Sequence, residues 1–490
     1  MMRTSDRMND AIVIYEKSVS GRKGYTLPDT NKSEEKILSA IPSRFLRSEA
    51  ASLPEVTEGE AMRHFISLST KNHHIDKGFY PLGSCTMKYN PKLNDVAASF
   101  AGFLECHPLA PHKSTSGILR LLWNLKKYLA EISGFPSVSL QPVAGAHGEF
   151  SGLLIMHAYH LDKGSQRSKI IIPDSSHGTN PASVNSVGFK TVMVKSNDKG
   201  IISPKAVAEV MDDDVAGMMM TNPNTLGIFE TNIKEIAEIV HEGGGLLYMD
   251  GANLNAHMGI FRPGDVGFDI MHFNLHKTLS TPHGGGGPGA GAIAVTAELD
   301  PFLPYPVLEK DAEGDLFYSY DRPKSIGRLH SFYGNFAMMV RAYAYIRTLG
   351  GEGLRRVSEN AVLNANYLKE LIREDYELPY DVPCMHEFVV SGMPQKKYGV
   401  RTLDISKRLL DFGVHPPTNY FPLIVPEAIM VEPTETESRE TLDRFAEIMK
   451  QIAKEARETP DIVTSAPHDT PVRRLDEVGA TRNLDVSFED

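Results

Sequence analysis

Apolar residues recur along the chain with two different periods, and the changes of period mark its parts. From Thr115, "TSGILRLLWNLKKYLAEISGF" places Ile118, Leu121, Leu122, Leu125, Tyr128, Leu129 and Ile132 close to every 3.6 residues, with Gly134 as a stop. That pattern predicts an amphipathic helix. Five short apolar runs follow, near 168–174 ("SKIIIPD"), 189–196, 215–224 ("VAGMMMTNPN"), 245–253 ("GLLYMDGAN") and 268–277 ("FDIMHFNLHK"). Each ends in polar or glycine-rich residues, and helical patterns such as Ile233 to Glu242 separate them. Runs of this kind are the strands of an α/β sheet, mixed but mostly parallel, with both faces covered. After about residue 330 come long helical stretches, short strands and a last helix near 438–456, which predict a smaller α+β domain. Residues before 115 are polar and proline-rich. The expected organisation is an arm over 1–115, a large domain over 116–335, a small domain over 336–460 and a tail over 461–490.

Composition restricts what such a chain does. At 490 residues it exceeds one hydrophobic core, in keeping with two domains plus extensions. The 51 basic and 62 acidic residues give a formal charge of −11, and no long basic run occurs, so the electrostatic footprint of a nucleic-acid binder is missing. The three cysteines, Cys85, Cys106 and Cys384, form no CxxC pair, as expected of reduced thiols rather than a disulfide framework. No apolar run approaches the roughly 20 residues that span a bilayer, and the charged start lacks a signal-peptide core. A soluble, cytoplasmic protein is expected, with no membrane partner.

Ligands of open α/β sheets collect beyond the carboxyl ends of the strands, and there the chain places Asn222, Asp250 and Lys277. A lysine attacks an aldehyde only when its charged form is disfavoured, so its place after a buried strand is suggestive. A carboxylate at the end of an apolar strand needs a cationic or hydrogen-bonding partner, such as a protonated pyridine nitrogen. "PVAGAHGEFSG", Pro142 to Gly152, sets small residues before a helix whose first N–H groups suit a phosphate, and His147 could stack on a planar ring. "TNPNTLG", Thr221 to Gly227, offers amides to a ring hydroxyl. Together these are the requirements of pyridoxal 5'-phosphate. The glycines Gly284 to Gly287 permit close approach of backbone to cofactor or neighbouring chain, with a flexible hinge as the alternative. His272, His276 and His283 are more readily packing or cofactor contacts than a metal site, since no carboxylate lies among them.

The order of phosphate loop, amide, carboxylate and lysine resembles the aspartate-aminotransferase-like fold, fold type I of the pyridoxal-phosphate enzymes. The segments "FYPLGSCTMKYNP", "QPVAGAHGE", "PDSSHGTNPAS", "TNPNTLGIFE", "YMDGANLNAHMG", "NLHKTLSTPHGGGGPG" and "EPTETES" go further. They resemble the P-protein of the glycine cleavage system, glycine dehydrogenase (decarboxylating), from about residue 40 to about 480. The chain matches its lysine-bearing half, a separate subunit 2 in many prokaryotes.

The resemblance implies decarboxylation of glycine and transfer of the aminomethyl group to the oxidised lipoyl arm of the H-protein. It implies a homologous subunit 1 without the lysine, two copies of each chain, and an oxidoreductase. Lys277 would hold the cofactor and move protons, and Asp250 would keep the pyridine nitrogen protonated. The backbone of Ala146 and His147, with the side chain of His276 or Thr278, would hold the phosphate. His147 would stack, and Asn222 or Thr225 would bond the ring hydroxyl. His177 and Asn180 would contact substrate or polarise its bond to the cofactor. More weakly, Cys85, made acidic by Lys88, would lie near the lipoyl disulfide, and Arg328 or His386 would bind the substrate carboxylate. Ser116 stands where the family usually has glutamine. The rival readings are a fold type I enzyme acting alone and a non-catalytic scaffold subunit.

Overall fold

The computed structural model describes residues 13–26, 28, 31–49, 51–284 and 289–485. Three of the four glycines expected to approach a cofactor or a neighbouring chain, Gly285 to Gly287, lie outside that set. The chain forms two compact units, one of residues 1–77 with 469–490, the other of residues 78–468.

The first unit contains the helix Glu58–Lys71, opened by a capping box in which Thr57 and Glu60 satisfy each other's backbone N–H. Among its described residues only His64 is buried.

The second unit is built on a seven-stranded sheet: β1 (Ser137–Ser139), β2 (Lys169–Pro173), β3 (Lys190–Val194), β4 (Val215–Thr221), β5 (Leu246–Gly251), β6 (Ile270–Asn274) and β7 (Gly291–Val295), in the order β1-β7-β6-β5-β4-β2-β3. The pairs from β3 to β6 are parallel, whereas β7 is antiparallel to both β6 and β1. This is the mixed, mostly parallel sheet of fold type I. Side chains of β4 and β5 alternate between two cores, Met218, Met220, Leu247 and Met249 on one face and Met219, Leu246 and Tyr248 on the other. The first face is covered by α1 (Ser116–Ser133), through Leu122, Leu125 and Leu129. The second is covered by α2 (Gly145–Asp162), through Leu153, Ile155 and Met156. Helices α3 (Asn180–Val187) and α4 (Ile233–Glu242) complete the crossovers, and α5 (Leu275–Thr278) is a single turn after β6.

The carboxyl-terminal lobe has a three-stranded antiparallel sheet, Thr418–Asn419 and Phe388–Ser391 on either side of Ala428–Val431. Against it packs α7 (Arg439–Glu458), where Leu442, Phe445 and Ile452 join Leu368, Phe388 and Val431 in a separate core. Helix α6 (Phe336–Ile372) connects the two cores and is broken at Gly350, whose φ of 63° no helix accommodates.

The polar composition of residues 78–115 suggested an arm, but they belong to the second unit. The segment following Gly78, hereafter the strap, crosses to the small lobe. Leu82 bridges Val431, the Thr418 hydroxyl donates to Gly83 O at 2.8 Å, and the buried Lys88 ammonium meets Glu435 at 2.8 Å. Its polar side chains serve internal partners, and composition alone cannot distinguish that from solvation. At the other end the unit runs to His468, beyond the expected tail boundary, because Val463 and Ala466 are buried.

Helix α2 lies close on the sheet because Gly152 has no Cβ, which would stand 2.2 Å from the Tyr248 ring. Gly152→Ala should therefore destabilise the chain by about 1–3 kcal/mol through overpacking. Gly117→Ala, in α1 with nothing within 4 Å, should be neutral or stabilise by about 0.5–1 kcal/mol. Denaturant midpoints of the two variants check this contrast.

Candidate active site

The carboxyl ends of β4, β5 and β6 bring Thr221 and Asn222, Asp250, and the Asn274–Lys277 turn into neighbouring positions of one sheet edge. Helix α2 begins against the same edge, where a Cβ on Gly145 would stand 2.3 Å from the Asn274 amide oxygen. Its N-cap residue, Ala144, has no side chain that could cap the first turn, so N–H groups there suit an anion.

Lys277 is 5% exposed, and its Nζ donates to the Ser84 carbonyl at 2.8 Å. Asp250, 1% exposed, is met on every side. Its Oδ2 accepts from Asn180 Nδ2 at 2.9 Å, and its Oδ1 accepts from Ala252 N at 2.9 Å and lies 3.2 Å from His272 Nε2. His272 Nδ1 in turn meets the Tyr248 hydroxyl at 2.7 Å. Burial opposes the charge on Asp250, but His272 and the Asn180 amide outweigh it and hold the carboxyl far below its usual range. Burial also opposes protonation of His272, and Asp250 beside it wins and raises its pKa.

Glu149 supports this arrangement from α2. Its carboxylate accepts from Thr179 Oγ1 at 2.6 Å, Ser183 Oγ at 2.7 Å and Asn180 Nδ2 at 3.2 Å. Because the Thr179 hydroxyl proton goes to Glu149, Thr179 Oγ1 accepts from His177 Nδ1 at 2.8 Å, leaving Nε2 of a neutral His177 as an acceptor. Burial keeps His177 neutral, with Asp250 opposing and Lys277 adding to the effect.

Other expected residues take definite places. The Thr225 hydroxyl donates to Ser175 O at 2.8 Å, whereas the buried Nδ2 of Asn222 has no partner among the described residues, so Asn222 is the freer donor. His147 Nδ1 accepts from Val143 N at 3.3 Å, and burial with nearby His330 lowers its pKa. Ala146 beside it is exposed. His276 Nδ1 meets Ala290 O at 2.9 Å, and burial pushes His276 down to about 4, leaving it without the charge a phosphate would seek. Thr278 Oγ1 is buried without a partner among the described residues.

Four other candidates have the following surroundings. Asn180 is turned onto Asp250 and Glu149 and is occupied as their hydrogen-bond donor. Lys88 is committed to Glu435, Asn255 and Tyr345, so the cation acting on Cys85 is Lys277, and burial still pushes that thiol up rather than down. His386 is fully buried and pushed down to about 3, chiefly by burial, so it cannot offer a cation to a carboxylate. Arg328 is exposed, bonded to Ser331 O at 3.3 Å and lying over the Tyr320 ring.

The structure also gathers residues that sequence reasoning missed: Ser84, Glu149, Glu387 and Glu432. The two late glutamates flank apolar runs, "HEFVV" and "IMVE", the signal that marked Asp250.

Comparison with known proteins now has a geometry to attach to. The family described as "Glycine dehydrogenase, C-terminal domain" matches residues 357–473, and "Aminotransferase class-V" matches residues 148–304. A probable glycine dehydrogenase (decarboxylating) subunit 2 of Chloroherpeton thalassium is 55% identical over 479 residues, 97% of each chain. The chain belongs to the glycine dehydrogenase (decarboxylating) subunit 2 family. A second member of that family, from Caldanaerobacter subterraneus subsp. tengcongensis, is 57% identical over 472 residues, covering 96% of this chain and 97% of its own. Among solved structures, an inhibitor-bound glycine decarboxylase (P-protein) of the glycine cleavage system superposes with a TM-score of 0.74 at 22% identity, covering 88% of this chain and all of its own. A cysteine desulfurase of Thermococcus onnurineus gives 0.60 at 16% identity over 77% and 95%. These likenesses show the fold.

The Asp250–His272 pair carries a pH signature. A depressed carboxyl stabilises above its unfolded pKa near 4 and loses that contribution as pH falls, and a raised imidazole stabilises below about 6.5 and loses it as pH rises through the folded value. The pair should contribute most between about pH 4 and 6.5. His272→Gln should therefore lower unfolding free energy more at pH 6 than at pH 9, and urea titrations at the two pH values test it. An equal loss at both would mean that His272 is not protonated in the folded chain.

Proposed function

We propose that this edge of the sheet holds pyridoxal 5'-phosphate through Lys277. The chain then acts as subunit 2 of the glycine cleavage system P-protein, decarboxylating glycine and passing its aminomethyl group to the lipoyl group of H-protein. The observation that carries the reading is the pairing of a buried lysine, bonded to a neutral carbonyl, with a buried ionised carboxylate on the neighbouring strand. The residues fit the cofactor: an uncapped helix start and the Thr278 hydroxyl suit its phosphate, and the Asn222 amide suits its ring oxygen, both side chains being without a partner among the described residues. When bound, the cofactor supplies a carbonyl carbon that joins an amine and a protonated ring that accepts the electron pair released with carbon dioxide.

The protein's part is positioning and proton control. Asp250, held ionised and oriented by Asn180, Ala252 N and His272, secures a proton on a ring nitrogen facing it. Gly145, Ala146 and His147 would give backbone N–H groups to the phosphate, with Thr278 adding its hydroxyl, while the His147 ring stacks. Lys277 leaves Ser84 O without breaking an ion pair, so its amine serves as nucleophile and then as proton carrier. The neutral His177 offers Nε2 to a proton of the bound amine.

The family's name as a subunit 2 implies a subunit 1. We assign two copies of each chain, since active sites of this fold lie near subunit interfaces, and a cytoplasmic location. No helix among the described residues is long and apolar enough to cross a membrane.

Purified chain with pyridoxal phosphate should show a Schiff-base absorbance band that borohydride traps on Lys277, as located by peptide mapping. Lys277→Ala should abolish the band and reduce glycine decarboxylation with subunit 1 and H-protein by about 10²- to 10⁴-fold or more. A chain that forms no such band even with subunit 1 present is not the catalytic subunit.

A further inference from the structure

A second group of ionisable residues lies behind Lys277, on the small lobe, and the roles given above do not use it. His386, Glu387 and Glu432 have no exposed surface, and their polar atoms come within 4.8 Å of one another. Phe388 pairs with Val431 across the antiparallel sheet, and continuing that register sets Glu387 opposite Glu432. Two like charges facing each other in a dry interior cannot both persist, so the pair keeps one proton between them. Burial, then repulsion from Glu387, drives Glu432 far up. Burial pushes Glu387 up to about 7, with Ser84 N–H, Lys277 and Asn253 opposing. Glu387 is therefore the member that changes charge near neutrality.

Both carboxyls grip the strap. Glu387 Oε2 accepts from Ser84 N at 2.6 Å, and Glu432 Oε1 accepts from Thr86 Oγ1 at 2.5 Å. Between these anchors Ser84 adopts a left-handed conformation, φ 62°, which few L side chains take without being held. A Cβ on Gly83 would stand 2.2 Å from the Met430 side chain, so the strap has no room to slide. The carbonyl that receives Lys277 Nζ is that of Ser84. The other titratable groups about the cluster are Cys85 on the strap, neutral His257 and His386, and Glu435, which Lys88 already neutralises.

We propose that Glu387, backed by Glu432, is a positioning residue for Lys277: the two carboxyls hold the strap so that the Ser84 carbonyl receives the lysine amine, and the charge on Glu387 sets how readily that amine sheds its proton. This rests on the reading of Lys277 as the cofactor lysine, because an amine is nucleophilic only without its proton.

The test is the rate at which acetic anhydride labels Lys277 in the cofactor-free full-length chain across pH 5–9, followed by peptide mass spectrometry, with circular dichroism as the folding control. Glu387→Gln removes the negative charge beside the ammonium and should speed labelling at pH 7 by about tenfold, one pK unit. Glu387→Asp should fall between it and the wild type. Glu432→Gln, isosteric with the protonated partner, leaves the charge on Glu387 in place, so labelling should keep the wild-type pH profile. Two isosteric substitutions that grip the same strap, one changing labelling and the other not, separate the charge on Glu387 from a loosened strap. Folded variants that both speed labelling, or that both leave its pH profile unchanged, overturn the proposal. Should Glu387→Gln fail to fold, Glu387→Asp decides, with faster labelling at pH 7 than in the wild type supporting the proposal and equal or slower labelling overturning it. Borohydride trapping on Lys277 in the wild type tests the cofactor reading separately, and its failure would leave the labelling result intact.

Discussion

An ionised carboxylate shut away from water at the end of β5 is the constraint around which this site is built. Burying Asp250 without partners would cost several kcal/mol or neutralise it. The fold answers with an amide, a backbone N–H and an imidazole, each held in turn by a further group: Asn180 by Glu149, and His272 by the Tyr248 hydroxyl. The chain thus commits parts of α2, α3, β5 and β6 to one acceptor. Its orientation is settled before any ligand arrives, which is what a group acting by electrostatics rather than by movement requires.

Lys277 presents the complementary case. No carboxylate among the described residues forms an ion pair with it, and its amine rests on a carbonyl, a partner easily left. Charge compensation comes from Glu387 at one remove, so the lysine can leave its partner without breaking an ion pair. Asp250 and Lys277 sit at the ends of adjacent parallel strands, yet the protein treats one as fixed and the other as free.

What was legible in the sequence was local. Runs such as "LLYMD" and "IMHFNLHK" announce buried strands, and a lone charged residue at the end of each is conspicuous, so Asp250 and Lys277 stood out together with the alternation that implies the sheet. The break at Gly350 was hidden because the helical period resumes on either side of it. The strap was misread because proline-rich, polar sequence looks the same whether its groups meet water or protein. Glu387 and Glu432 escaped notice because their meaning comes from cross-strand register, which a single strand does not reveal. The same limit applied to Asn180, whose amide could have faced either a ligand or a neighbour.

The strap also bears on how the molecule comes to be folded. Ser84 reaches Glu387 across 303 positions, Thr86 reaches Glu432 across 346 and Lys88 reaches Glu435 across 347. Contacts of that span are the last to recover the entropy of closing their loops. During synthesis the strap emerges with nothing to bind, its polar groups served by water while the sheet forms behind it. The perch for Lys277 is therefore completed only when the carboxyl-terminal lobe has been made, and a chain stopped short of Glu432 would contain the lysine, the carboxylate and the sheet without a finished site.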